Sequence, residues 1–179
     1  MGKDLYKDGN LVDAIKKSDK DSLRLLFEKY YTSIYIFIWN KTKDDDLSQD
    51  IVQEVFIKIW DSRSNLDESK SIKAYLYRIA SNMCIDHLRK QVTRQAYVND
   101  RIDSRDEDSS YKEFESTDNV KRILDVLPDD VRETFVLSRF DKFKYSEISE
   151  ILDVSVRTVE SRISKAIKIL KSVLKKKIK

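Results

Sequence analysis

The sequence predicts an all-α protein of two small helical domains joined by an acidic flexible linker, and three observations carry that reading. Two glycines and one proline in 179 residues leave too few turn-forming positions for β-sandwiches, collagen or the glycine-rich phosphate loops of doubly wound sheets. Apolar residues recur at spacings of three and four, and no stretch alternates apolar with polar long enough to read as a strand. Residues 100–118 hold eight acids against three bases, with several serines and few large apolar side chains, which is the composition of a solvated connector. The expected division is 1–92, a linker at 93–118, and 119–179.

Taken in order, Asp19 and Asp21 precede Leu23, Leu26, Phe27, Tyr30, Ile34 and Ile38, which predicts one amphipathic helix to about Asn40. The acidic run Asp44–Asp46 then opens a second helix through about Asp61, with Leu47, Ile51, Val55 and Ile59 on its apolar side. A third runs from about Ser71 to Gln91 on a stripe of Ile72, Tyr75 or Leu76, Ile79, Met83 and Leu88. These make a small N-terminal bundle.

The second domain begins with Val120, Ile123, Leu124 and Leu127, after which Pro128 sets the first turn of a helix to Arg139. Asp129, Asp130 and Glu133 sit near its positive end. Ser146 is the expected N-cap of the next helix, carrying Ile148, Ile151 and Leu152. Asp153-Val154-Ser155 breaks the pattern, and a last helix starts at Val156. That is the layout of a helix-turn-helix, with Asp153 in the tight position where a left-handed conformation is needed and which Asp tolerates better than most residues. Many helical hairpins share this layout and bind nothing.

Composition narrows the function classes. One cysteine and one histidine can form neither an internal disulfide nor the usual zinc sites, so no metal or cofactor is expected. The first twenty residues are charged throughout and no apolar run approaches membrane-spanning length, so a soluble, cytoplasmic chain with no membrane insertion is expected. The formal charge is only +3, but residues 157–179 carry nine Lys/Arg against one Glu, and residues 70–94 carry six against one Asp. A single basic run is usually a solvated helix face; two on separate domains point to a polyanion.

From Val156, the residues Val159, Ile163, Ala166, Ile167, Ile169, Leu170, Val173 and Leu174 fill an arc of about 160°. The other arc carries Arg157, Thr158, Glu160, Ser161, Ser164, Lys165 and Lys168. A helix in the major groove needs this order, because its first residues reach base edges and later cations meet phosphates. Glu160, Ser161, Ser164 and Lys165 are assigned to bases, and Arg157, Thr158 and Lys168 to phosphates. Arg162 falls nearer the apolar edge. On the second helix, Asp50, Gln53, Glu54, Lys58 and Asp61 surround Ile57, a pattern that suits a partner with a small apolar centre and a basic rim, although scattered surface isoleucines are also common.

Asp50 to Trp60 reads DIVQEVFIKIW, Ala74 to Arg89 reads AYLYRIASNMCIDHLR, and Tyr145 to Ala166 reads YSEISEILDVSVRTVESRISKA. In this order and separation they resemble bacterial RNA polymerase sigma factors of the extracytoplasmic-function group, across about 21–91 and 119–175. The resemblance implies a protein that is no enzyme itself and that gives core RNA polymerase its preference for promoter DNA, with an anti-sigma factor as a further partner. It places Asp50, Gln53, Glu54, Phe56 and Trp60, around Ile57, on the polymerase-docking segment. Lys73, Tyr75, Arg78, Asn82 and Arg89 fall on the segment that reads the minus-10 element, where aromatic and guanidinium planes stack on unpaired bases. The last helix becomes the minus-35 reader. Many relatives carry Trp where Tyr75 stands, and an aromatic-basic-glycine loop where Leu66, Asp67 and Glu68 stand, so the captured base is left open.

Tyr77 reads as core, with Tyr75 open between core and surface. Cys84, among Ile79, Met83 and Ile85, reads as a small buried hydrophobe. Asp86 beside His87 lacks a nucleophile or second acid on the same face, so no catalytic residue is expected. The rival to a sigma factor is a stand-alone helix-turn-helix regulator that dimerises on palindromic sites without polymerase; a nucleic-acid enzyme is a distant third.

Overall fold

The computed structural model describes residues 7–97 and 124–177, with side chains described for 7–90 and 124–173. The described residues are helical, with no strand among them, and the chain divides into two compact units, Met1–Gln95 and Ala96–Lys179. Most of the expected linker, 98–118, lies outside the described residues.

The first unit opens with α1 (Asp8–Lys16), a helix absent from the sequence expectation. Leu11, Val12 and Ile15 are its buried residues, one apolar turn too short to stand out from the surrounding charges. It packs on α2 (Lys20–Thr42), whose first turn is capped by Asp19 accepting from the Asp21 amide at 3.1 Å. Leu26, Tyr30, Ile34, Phe37 and Ile38 form the buried stripe of α2. Lys43 then takes a left-handed conformation (φ 53°) and Asp44 caps α3 (Asp45–Asp61) by accepting from the Leu47 amide at 3.0 Å. With so few glycines, the chain places non-glycine residues in this region at several turns, at the Cβ strain glycine would avoid. A 3-10 turn at Arg63–Asn65 leads to a loop and then α4 (Ile72–Tyr97), where the Ser71 hydroxyl accepts from the Ala74 amide at 3.1 Å.

Helix α4 brings Leu76, Tyr77, Ala80 and Cys84 into the core, with the Tyr77 ring 4.9 Å from that of Phe37 on α2. Of the expected stripe, Leu76 rather than Tyr75 is buried, and Leu88 is exposed. The helix also continues to Tyr97, past the expected end at Gln91 and into the segment read as linker. Arg94, Gln95 and Ala96 are strong helix formers, and no Gly or Pro stops them.

The second unit contains α5 (Asp129–Arg139), α6 (Tyr145–Leu152) and α7 (Val156–Lys177). Pro128 occupies the N-cap position of α5. The Arg132 guanidinium donates to the carbonyls of Leu124 and Leu127, both at 3.1 Å, and so fixes the preceding turn. Leu127, Val131 and Ala166 form a core cluster, with Leu124, Phe135, Ile169 and Leu170 packed against it. Ser146 is not the cap of α6: Lys144 holds that position, and the Glu147 carboxylate reaches back to its amide at 2.8 Å. The helix begins two residues earlier than Ser146 predicted, because the Glu147 carboxylate at N3 satisfies the Lys144 amide and makes Lys144 the boundary. Asp153 is left-handed (φ 51°, ψ 50°), as the turn requires.

Candidate polymerase and promoter interfaces

Helix α3 buries Ile51, Val52, Val55, Phe56 and Ile59 against its own unit. The remaining side exposes Asp50, Gln53, Glu54, Lys58 and Asp61, and in their midst Ile57 is 59% exposed. Leaving so much of an isoleucine in water forgoes burial worth about 1.5–3 kcal/mol, which makes Ile57 the apolar centre of an acidic face. Phe56 is corrected from docking to core: it is 5% exposed, with its ring edge-on to Phe27 at 4.9 Å. Trp60 is half-buried beneath the Arg63 guanidinium, 4.6 Å from the ring centroid, while Arg63 also donates to the Trp60 carbonyl at 2.9 Å. At the edge of the face, His87 Nε2 of α4 stands 4.0 Å from Glu54 Oε2. This contact joins residues 33 positions apart, which no local pattern pairs.

On α4, Tyr75, Arg78, Asn82 and Arg89 are all exposed. Their spacings of three, four and seven keep them within about 60° of one another around the helix. The stripe therefore offers one aromatic plane, one amide and two guanidinium groups on a single side. Lys73 does not join it. It lies about 160° from Tyr75 by helical position, is half-buried, and sets its ammonium 5.7 Å from the centre of the Tyr77 ring. Tyr77 itself is 1% exposed against 38% for Tyr75, which separates the two tyrosines into core and surface.

In the second unit, α7 buries Val159, Ile163 and Ala166 and exposes Arg157, Glu160, Ser161, Ser164, Lys165 and Lys168. Thr158 departs from its expected phosphate role: it is half-buried and its hydroxyl lies 2.8 Å from Ser155 Oγ, which also accepts from the Thr158 amide at 3.1 Å. Ser155 thus caps α7, a role readable from Ser155 and Thr158 at N-cap and N3 spacing. Asp130, expected only at the positive end of its helix, also reaches from α5 to Arg162 of α7 at 3.1 Å. Together they wall an open groove of about 470 Å³, lined also by Val131, Ser155, Arg157, Thr158, Ser161 and Lys165.

Among the described residues no group of three or more His, Cys, Asp or Glu is placed to hold a metal ion, and no helix is long and apolar enough to cross a membrane. Cys84 is buried and Asp86 exposed.

Two helical units, the second a helix-turn-helix with a mostly basic outer face, have the form of a DNA-binding protein. Residues 26–94 match the family Sigma-70 region 2, and residues 117–170 match Sigma-70, region 4. The ECF RNA polymerase sigma factor SigW of Bacillus subtilis is 26% identical over 178 residues, covering 92% of this chain and 95% of its own. The ECF RNA polymerase sigma-E factor of Escherichia coli K12 is 30% identical over 169 residues, with coverages of 87% and 88%. The sigma factor RpoE of Bartonella quintana, solved in complex with the anti-sigma factor NepR, shares the fold with a TM-score of 0.63 at 23% identity, over 85% of this chain and 96% of that one. The chain belongs to the sigma-70 family of RNA polymerase sigma factors, in its ECF group, and its role is promoter-specific transcription initiation.

Proposed function

We propose that the two units divide this role: 1–92 docks core RNA polymerase through the α3 face and holds the opened minus-10 strand on the α4 stripe, while 119–179 reads the minus-35 element with α7, the two joined by 93–118. Asp50, Gln53, Glu54 and Ile57 make the polymerase contact, with Trp60 at its margin. Tyr75, Arg78, Asn82 and Arg89 take the displaced strand. Glu160, Ser161, Ser164 and Lys165 face bases, and Arg157 and Lys168 face phosphates.

The observation that carries this reading is the α4 stripe. A stand-alone regulator needs only its helix-turn-helix, whereas an exposed tyrosine in line with guanidinium groups and an amide suits unpaired bases, which duplex DNA offers only once polymerase has opened it. On this reading the protein is no enzyme itself, acts in the cytoplasm where polymerase works, and is held in check by an anti-sigma factor, as the complexed Bartonella relative supports.

The test is reconstitution of the purified chain with core polymerase, followed by mapping of transcript starts on a promoter library. Starts at a fixed distance from one shared pair of elements are expected. A dimer bound to palindromic sites without polymerase would overturn the reading in favour of a regulator.

A further inference from the structure

Asp130 is a carboxylate set into the groove where α7 otherwise presents cations and hydroxyls. Its Oδ2 holds Arg162 Nε at 3.1 Å, and the Arg162 side chain is only 23% exposed while that of Asp130 is 54% exposed. Arg162 lies at the apolar edge of α7, three residues before the exposed Lys165, so its long side chain starts within reach of both α5 and the outer face. Yet its guanidinium turns to α5. The positive end of α5 does not need this acid to point toward α7, since Asp129 in the same first turn pairs with Arg132 at 3.3 Å.

We propose that Asp130 is a specificity-determining residue for promoter recognition: by holding Arg162 against α5 it withholds one cation from the phosphate backbone and sets a negative charge on the rim of the reading groove. Phosphate contacts add affinity without sequence information. A reader stripped of one such contact, and repelled slightly by every duplex, depends more on its base-facing side chains to bind at all. Like charges set against a wrong partner are a known source of discrimination. The proposal rests on the reading of α7 as the minus-35 helix.

The experiment uses full-length chain assembled with core polymerase, and compares a preferred promoter with one whose minus-35 element is scrambled, across a salt series. Asp130→Asn keeps the side-chain shape, removes the charge and so weakens the hold on Arg162. The expected result is tighter binding to both promoters, a several-fold fall in their ratio, and a salt slope steeper by about one counterion. The double variant Asp130→Asn/Arg162→Gln removes both charges and should return the slope to that of the unaltered chain. A slope shallower by about one in the double variant means that Arg162 already contacts a phosphate, and overturns the proposal. So does an unchanged ratio and slope in Asp130→Asn. If Asp130→Asn melts early, Asp130→Ser replaces it, with the same expected rise in slope and fall in ratio. Lys168→Ala is run alongside: if it too leaves binding unaltered, the reading of α7 has failed, whereas weaker binding in Lys168→Ala with no effect of Asp130→Asn sinks only the role of Asp130.

Discussion

Lys16 Nζ of α1 lies 2.6 Å from Glu68 Oε2, so the last turn of α1 is tied to the loop that leads into α4. At the other end of the helix, Asp8 accepts from the Tyr30 hydroxyl at 2.6 Å and pairs with Lys29 at 2.8 Å. The helix that the sequence hid is thereby clasped to its unit at both ends.

The clasp has a pH signature. The hydrogen bond to Glu68 raises Lys16 above its ordinary value, and the same bond lowers Glu68. A lowered carboxyl stabilises the fold above its unfolded pKa of about 4.3 and loses that contribution as pH falls through the folded value. A raised ammonium stabilises below about 10.4 and loses it as pH rises further. Lys16→Met should therefore lower the melting temperature at neutral pH, with the difference shrinking in acid once Glu68 is protonated. Paired thermal melts from neutral pH down through the carboxylate range read this directly, and a difference that does not change with pH would rule the clasp out.

Phe56 and Ile57 are neighbours in sequence with opposite fates. Phe56→Ala should destabilise by about 3–5 kcal/mol, as truncation of a buried aromatic does, whereas Ile57→Ala should stay within about 0.5 kcal/mol. Binding to core polymerase should reverse the order, with Ile57→Glu or Gln53→Ala/Glu54→Lys abolishing co-purification of a folded chain. Urea unfolding and pull-down on the same preparations separate the two effects. Undiminished co-purification would remove the α3 face from the polymerase contact.

The same separation applies to Tyr75 and Tyr77. Tyr75→Ala should spare folding and closed-complex formation but block strand opening, read as lost permanganate reactivity in the promoter bubble. Tyr77→Ala should cost about 3–5 kcal/mol of stability, because its ring is core. A normal bubble with Tyr75→Ala would leave Tyr75 without a role in the strand.

Along α7, Lys168→Ala should weaken all promoters alike and reduce the salt slope by about one. Glu160→Ala should instead relax the preference at one base pair by about 1–3 kcal/mol, where it accepts from a cytosine amine. Transcription of a randomised minus-35 library by each holoenzyme distinguishes them; equal shifts in preferred sequence would undo the division of roles.

Ser81 carries a buried hydroxyl with no hydrogen-bond partner, on a side chain only 1% exposed. An unsatisfied buried group costs about 1–3 kcal/mol, and alanine is the better helix former. Ser81→Ala should leave stability unchanged or raise it by about 1 kcal/mol, and a loss on denaturant unfolding would mean that the hydroxyl is satisfied after all.

The amphipathic helices and the helix-turn-helix were legible because each is a local pattern. Three-and-four spacing decides which side of α2, α3 or α7 turns inward, and Asp153 suits a left-handed turn whatever surrounds it. Helix α1 was not legible, because one apolar turn among charges is a weak periodic signal, and its order comes from Tyr30 and Glu68, distant in sequence.

Sequence by itself determined the helical class, the family and the residues that face outward on α3 and α7, since periodicity and motif order are properties of the chain read in one dimension. Tertiary structure alone decided that Phe56 packs edge-on to Phe27, that the Lys73 ammonium sits by the Tyr77 ring, and that Arg162 answers to Asp130. Helical position sets only the direction in which a side chain leaves its own helix. Whether it meets water, a ring or a carboxylate depends on which neighbouring helix lies across from it, and that is fixed by packing between segments far apart in the chain.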